Sequence, residues 1–173
     1  IYDEILSVKQ PLIDLEERLR DMEASMNLVT GDELTSLMDK YTNASARFER
    51  EGGLTYKSEI IGVLRGLGFE QEDFSREIST LSGGQKTRVA LGKLLITKPD
   101  LIILDEPTNH LDMNAIMWLE NFLLNYKGTV FIVSHDRYFL DKIVNKVFEL
   151  ENGKMTTFTG NYTDYATKKE ILR

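Results

Sequence analysis

The spacing of apolar positions along the chain changes character several times, and each change marks an element. From Ile5, the residues Val8, Leu12, Leu15, Leu19, Met22 and Met26 follow at intervals of three and four, the narrow seam of a coiled coil. Pro11 falls inside that run. Proline lacks an amide donor and crowds the preceding turn, so the rod is expected to kink there or to start near residue 10. After Asn27-Leu28-Val29, the segment Thr30-Gly31-Asp32-Glu33 places a hydroxyl three residues before a carboxylate, the spacing of a capping box. Leu34, Leu37, Tyr41, Ala44 and Phe48 then repeat the three-four alternation. Two such stripes joined by a short turn must pack on each other. Their outward faces are nearly all charged, which favours a projecting antiparallel hairpin over two helices of a globular core.

The pattern shifts at Gly52-Gly53. Ile60, Ile61, Leu64 and Leu67 predict a third helix over residues 56–67, and Gly68 supplies a C-terminal stop. Beyond residue 100 short apolar runs alternate with helical stretches: Leu101 to Leu104, a helix after Asp112, Thr129 to Val133, and a short helix near residues 138–143. Val147 to Leu150 and Met155 to Phe158 flank Asn152-Gly153, a tight-turn dipeptide of the hairpin kind. This order predicts an α/β fold, with parallel strands first and an antiparallel ribbon last.

Composition narrows the function classes. At 173 residues, 42% hydrophobic and 28% charged, the chain can bury one core and carry an appended helical element. It has no cysteine and only two histidines, which excludes disulfides and thiolate metal sites and leaves little for zinc. There is no run of eighteen apolar residues and no signal-peptide pattern at the start, so a soluble, cytoplasmic protein is expected. The net charge of −7 argues against nonspecific nucleic-acid binding, which needs a basic surface. Residues 1–52 hold six Lys or Arg against twelve Asp or Glu, so the acidity is concentrated in the hairpin.

The candidate chemistry lies at the strand ends. Leu101-Ile102-Ile103-Leu104 reads as a parallel strand covered on both faces, and it ends in Asp105 and Glu106. Thr129 to Val133 ends in Ser134-His135-Asp136. Ligands of open parallel sheets bind outside the carboxyl ends of the strands, so both sets should face one crevice. A strand ending in Asp suits magnesium held against phosphates, and a neighbouring carboxylate suits an attacking water; Glu106 is the better candidate for the water. A second element is Thr80-Leu81-Ser82-Gly83-Gly84-Gln85 ahead of a helical stretch. Ser82 and Gln85 have capping-box spacing, and two glycines in the first turn leave bare amides along the axis, a setting that favours phosphate.

These residues carry a resemblance. Leu81-Ser82-Gly83-Gly84-Gln85 matches the ATP-binding-cassette (ABC) signature letter for letter; L-I-I-L-D-E-P-T-N-H-L-D over residues 101–112 resembles the Walker B strand, catalytic glutamate and D-loop, and Ser134-His135-Asp136-Arg137 the switch-histidine region. Pro107 to Asp112, Arg137-Tyr138-Phe139-Leu140 and Gly160-Asn161-Tyr162 are similar to ABC-F proteins in particular. Those carry two cassettes on one polypeptide, have no membrane domain and commonly act on ribosomes, and their first cassette bears a helical arm before the signature. The resemblance therefore implies an α/β fold, a partial P-loop NTPase (ABC ATPase) domain with an inserted antiparallel helical-hairpin arm. It divides the chain into the arm (1–53), a helical subdomain with the signature (54–96), a partial Walker B and switch-histidine core (97–160), and the start of an inter-cassette linker helix (161–173). It implies ATP and magnesium as cofactors. Asp105 would support magnesium, Glu106 would polarise the attacking water and His135 would contact the γ-phosphate. Ser82, Gly83, Gly84 and Gln85 would clasp a nucleotide held by the second cassette, with Asp112 at the interface between cassettes. His110 is read as D-loop packing.

One departure matters. A Walker A loop needs Gly, four residues, then Gly-Lys-Ser or Gly-Lys-Thr. The Gly-Lys pairs present, Gly92-Lys93 and Gly153-Lys154, are followed by Leu94 and Met155. The sequence thus resembles an excised piece of an ABC-F ATPase, expected to be inactive alone and, through an exposed sheet edge, open to dimerisation. A transporter's nucleotide-binding subunit, an SMC-type ATPase and a non-enzymatic interaction module are the alternatives. Glu106 separates the last from the others, because a pure binding module needs no carboxylate there.

Overall fold

The structure, a computed structural model, describes residues 1–171. The end of the expected linker helix, residues 172–173, lies outside the described residues. The chain runs α1 (Tyr2–Leu6), α2 (Gln10–Met26), α3 (Gly31–Arg50), α4 (Tyr56–Gly66), α5 (Gly83–Thr97), β1 (Leu101–Asp105), α6 (Met113–Leu124), β2 (Thr129–Val133), α7 (Arg137–Ile143), β3 (Lys146–Glu151), β4 (Lys154–Thr159) and α8 (Tyr162–Ile171).

Pro11 settles where the hairpin begins. The continuous stripe breaks into α1, a 3-10 turn at residues 7–9, and α2 with Pro11 in its first turn, where a missing amide costs nothing. Ile1 and Ile5 then turn into the body, packing with α4 and α5 rather than along the arm. Helices α2 and α3 pack along each other, the 17 residues of α2 spanning about 25 Å at 1.5 Å per residue. Thr30 does stand at the N-cap of α3, but its side chain makes no capping bond. Leu12, Leu15, Leu19 and Phe48 are buried at the arm's base, whereas Met22, Met26, Leu34 and Leu37 towards its tip are only half-covered, because two helices alone cannot enclose a seam. Glu16 pins the base to the body. It accepts from the Tyr56 hydroxyl at 3.0 Å and pairs with Lys57 at 3.1 Å.

Two hydrophobic clusters form the core. The first joins α1, the arm base and α4, with Tyr56, Ile60, Leu64 and Leu67 almost fully enclosed; the second gathers Leu95, Ile102, Leu104, Leu119, Leu123 and Phe139. Leu91, Leu111, Trp118 and Phe122 touch both and weld them together.

Strands β1 and β2 pair in parallel, with Leu101 opposite Thr129 and Asp105 opposite Val133. Their coverage differs from the sequence expectation. Ile102 and Leu104 are buried beneath helices, but Leu101, Ile103, Phe131 and Val133 on the other face are exposed, Ile103 by 64%. An unbroken apolar run reports that both faces avoid water; it does not report which partner covers each. The antiparallel β3–β4 ribbon turns at Asn152-Gly153, both with positive φ, as a two-residue hairpin of this twist requires. Among the described residues β2 pairs with β1 alone and β3 with β4 alone. The facing edges of β2 and β3 flank a groove of about 990 Å³, across which Phe131 and Phe148 sit 6.2 Å apart.

Candidate nucleotide site

The parallel pairing of β1 and β2 brings their carboxyl ends level, and this is what assembles the site. Past Asp105 the chain leaves the strand through Glu106, whose backbone sits in the left-handed region at φ 47°. Such a φ is uncommon for a residue with a side chain and costs of order 1–3 kcal/mol, so the surroundings must impose it. The Glu106 amide donates to the Val133 carbonyl at 2.7 Å, extending the ladder one residue beyond the strands. That bond turns the carboxylate towards the end of β2. Its Oε2 accepts from the His135 amide at 3.3 Å and lies 3.5 Å from the Ser134 hydroxyl, while Oε1 lies 3.5 Å from His135 Nε2. Glu106 is largely shielded, with 27% of its side chain accessible, whereas the His135 ring is 99% exposed. A water held between such a carboxylate and an incoming phosphate would have its acceptor in place, and the imidazole is free to reach outward.

The loop after β2 is fixed locally. Asp136 caps α7 through the Phe139 amide at 3.0 Å and its own amide donates to the Ser134 hydroxyl at 3.0 Å. Phe139 is wholly buried, and Lys142 of α7 pairs at 2.7 Å with Glu120 of α6, the one buried charged residue among those described. Helix α7 thereby holds the His135 loop against α6.

Asp105 is exposed at the end of β1, opposite Val133. Magnesium usually takes one or two carboxylates and completes its shell with phosphate oxygens and water, so a single carboxylate there fits that ion. Among the described residues no group of three or more His, Cys, Asp or Glu forms a self-contained metal cage.

The Ser82 region has both arms of the capping box. The Gln85 amide donates to Ser82 Oγ at 3.2 Å, and the Ser82 amide donates to Gln85 Oε1 at 3.0 Å. Gly83 is open to solvent, with nothing within 4 Å of the position a side chain would take. Gly84 is not bare, because the His110 ring lies against it: a Cβ there would stand 3.1 Å from His110 Cγ. His110, expected from the sequence to pack within the D-loop region, packs here on the first turn of α5. Asp112 caps α6 through the Ala115 amide at 2.8 Å. Among the described residues no hydrogen bond joins the Ser82–Gln85 group to Glu106 or His135. The structure brings Glu106, Ser134 and His135 together and leaves the Ser82 loop as a separate surface.

Comparison with known proteins places the chain in a family. The model of the ABC transporter family matches residues 3–109, more than half of the chain. A Bacillus subtilis protein named putative ATP-binding protein YdiF is 52% identical over 137 residues, 79% of this chain and 21% of its own length. ABC transporter F family member 2 of Arabidopsis thaliana is 34% identical over 171 residues, 99% of this chain and 24% of its own. The chain belongs to the ABC-F family of ATP-binding cassette proteins. Among solved structures, a complex of the archaeal ribosomal stalk protein aP1 with the archaeal ribosome recycling factor aABCE1 aligns with TM-score 0.51 and 28% identity over 68% of this chain and 24% of that one. This ABC-F chain spans about a fifth to a quarter of the length of the curated relatives named here. No described helix is long and apolar enough to cross a membrane.

Proposed function

We propose that this chain supplies the water-activating half of an ATP-hydrolysing site within a longer, two-cassette ABC-F polypeptide. The observation that carries the reading is the Glu106 carboxylate turned onto Ser134 and His135 at the adjoining ends of two parallel strands. In this reading Glu106 accepts a proton from the attacking water, His135 reaches the γ-phosphate, and Asp105 contributes to magnesium. Ser82, Gly83, Gly84 and Gln85 present the start of α5 to a nucleotide held by the second cassette, with Asp112 at the interface. The bond from magnesium and phosphate to a glycine-rich loop must come from residues outside this sequence, so the 173 residues alone are expected to bind ATP poorly and not to turn it over. The uncovered face of β1–β2 and the groove between β2 and β3 support that reading, since a further strand would pair with both edges and a further layer would cover the face.

Action on the ribosome in the cytoplasm is the setting we propose, supported by the ribosomal context of the structural neighbour. The acidic arm then meets a basic protein surface rather than RNA phosphates. The test is ATP binding by calorimetry and phosphate release, for this chain and for a version extended upstream to include a Gly-x4-Gly-Lys-Ser/Thr loop. Binding and turnover confined to the extended protein, with nucleotide trapped unhydrolysed by Glu106→Gln, is the expected result. Turnover by the 173 residues alone would place the phosphate site elsewhere.

A further inference from the structure

Between Glu106 and Asp112 the chain makes a short loop that touches two regions the function needs. Its near end carries the Glu106 carboxylate. Its far end presents His110, also left-handed at φ 65°, against Gly84 in the first turn of α5. A side chain at Gly84 would stand 3.1 Å from His110 Cγ and 3.2 Å from its Cβ and Nδ1, closer than ordinary packing distance. The loop between them is not slack. The Asn109 amide donates to the Glu106 carbonyl at 3.1 Å, and the Leu111 amide to the Thr108 carbonyl at 3.2 Å, so two overlapping turns lock residues 106–111. Pro107 is buried, Leu111 packs into both core clusters, and Asp112 fastens the loop to α6.

We propose that His110 is a positioning residue that couples the first turn of α5 to the Glu106 carboxylate. The ring rests on Gly84 because glycine leaves room for it, and the His110 Cβ, 3.2 Å from where a Gly84 Cβ would stand, is placed by the backbone of a locked loop and cannot rotate away from a push as the ring can. A displacement of the start of α5, such as an anion at its amides would cause, therefore moves the loop as a unit and shifts Glu106 relative to His135. This rests on the reading of Glu106 given above, but the coupling itself is measurable without nucleotide.

The experiment is a cycle of substitutions read by backbone amide resonances in the isotopically labelled chain. Gly84→Ala pushes on the ring. His110→Gly removes the ring while tolerating positive φ, and His110→Asn keeps the Cβ, Cγ and adjoining polar atom that face Gly84. Gly84→Ala alone is expected to displace the amide signals of Glu106 and of Ser134 to Asp136 as well as those of α5. Added to His110→Gly, it is expected to move only the α5 signals; added to His110→Asn, it moves the distant set again. Displacement of the distant signals in both backgrounds, or in neither, overturns the proposal. Unchanged signals for Ile102 and Leu104 verify that each variant keeps its core. Should ATP turnover by the extended protein fail while this cycle holds, the coupling stands and the hydrolytic reading falls; the reverse pattern removes the coupling alone.

Discussion

Gly66 is the residue whose substitution best tests how the two core clusters are welded. It ends α4, and its Cα faces the indole of Trp118 on α6 so closely that an added Cβ would overlap ring atoms Cε2 and Cδ2. Two effects of opposite sign follow from Gly66→Ala. Helix propensity favours alanine by at most about 1 kcal/mol. Against that, forcing a methyl into a filled contact costs about 1–3 kcal/mol. The displaced indole also loses part of its contact with Phe122, now 5.3 Å away centroid to centroid, worth about 0.5–1.5 kcal/mol. The clash wins, and the net loss is about 2 kcal/mol, or roughly 4–8 °C in Tm for a chain of this size. Trp118 is the sole tryptophan, so urea unfolding followed by its fluorescence reads the contact directly. In a Trp118→Leu background, followed by circular dichroism, Gly66→Ala should lose most of its penalty, because the overlapping ring is gone. A variant as stable as the parent, or an equal penalty in both backgrounds, would refute the packing argument.

Acid should loosen the root of the arm. Burial alone would raise the Glu16 carboxyl, but the bonds from Lys57 and the Tyr56 hydroxyl outweigh it and hold it below its usual 4.5. Its contribution is therefore complete above that value and is lost as pH falls through the lower folded-state value, so Glu16→Gln should flatten the acid limb of a Tm-against-pH curve. Along β1, Ile102→Ala is expected to cost about 2–5 kcal/mol and the neighbouring Ile103→Ala within about 0.5 kcal/mol by urea denaturation, since the first is enclosed and the second is bare. Lys142→Met leaves the buried Glu120 carboxylate without its partner and should cost about 1–3 kcal/mol, with much of the loss recovered by adding Glu120→Gln.

The chain's own spacing was enough to place the elements. Three-four alternation marked α2 and α3, Asn152-Gly153 marked the ribbon turn, and Ser82 with Gln85 marked the start of α5, because each depends on neighbours within a few residues. The same holds for the strand-end carboxylates, which any parallel pairing would bring to one edge. Tertiary structure decided the rest. Pro11 started the rod at residue 10, as its missing amide foretold, but the inward turn of Ile1 and Ile5 was set by packing against α4 and α5 rather than by period. Tertiary structure left one face of an all-apolar strand uncovered, which local pattern cannot foresee because coverage comes from remote layers. It also turned Glu106 onto Ser134 and His135 and laid His110 on Gly84, contacts spanning 26 to 29 positions of sequence. Local sequence fixes torsions and amphipathic faces through short-range forces; which faces meet, and which carboxylate finds which histidine, is decided when remote segments compete to exclude water.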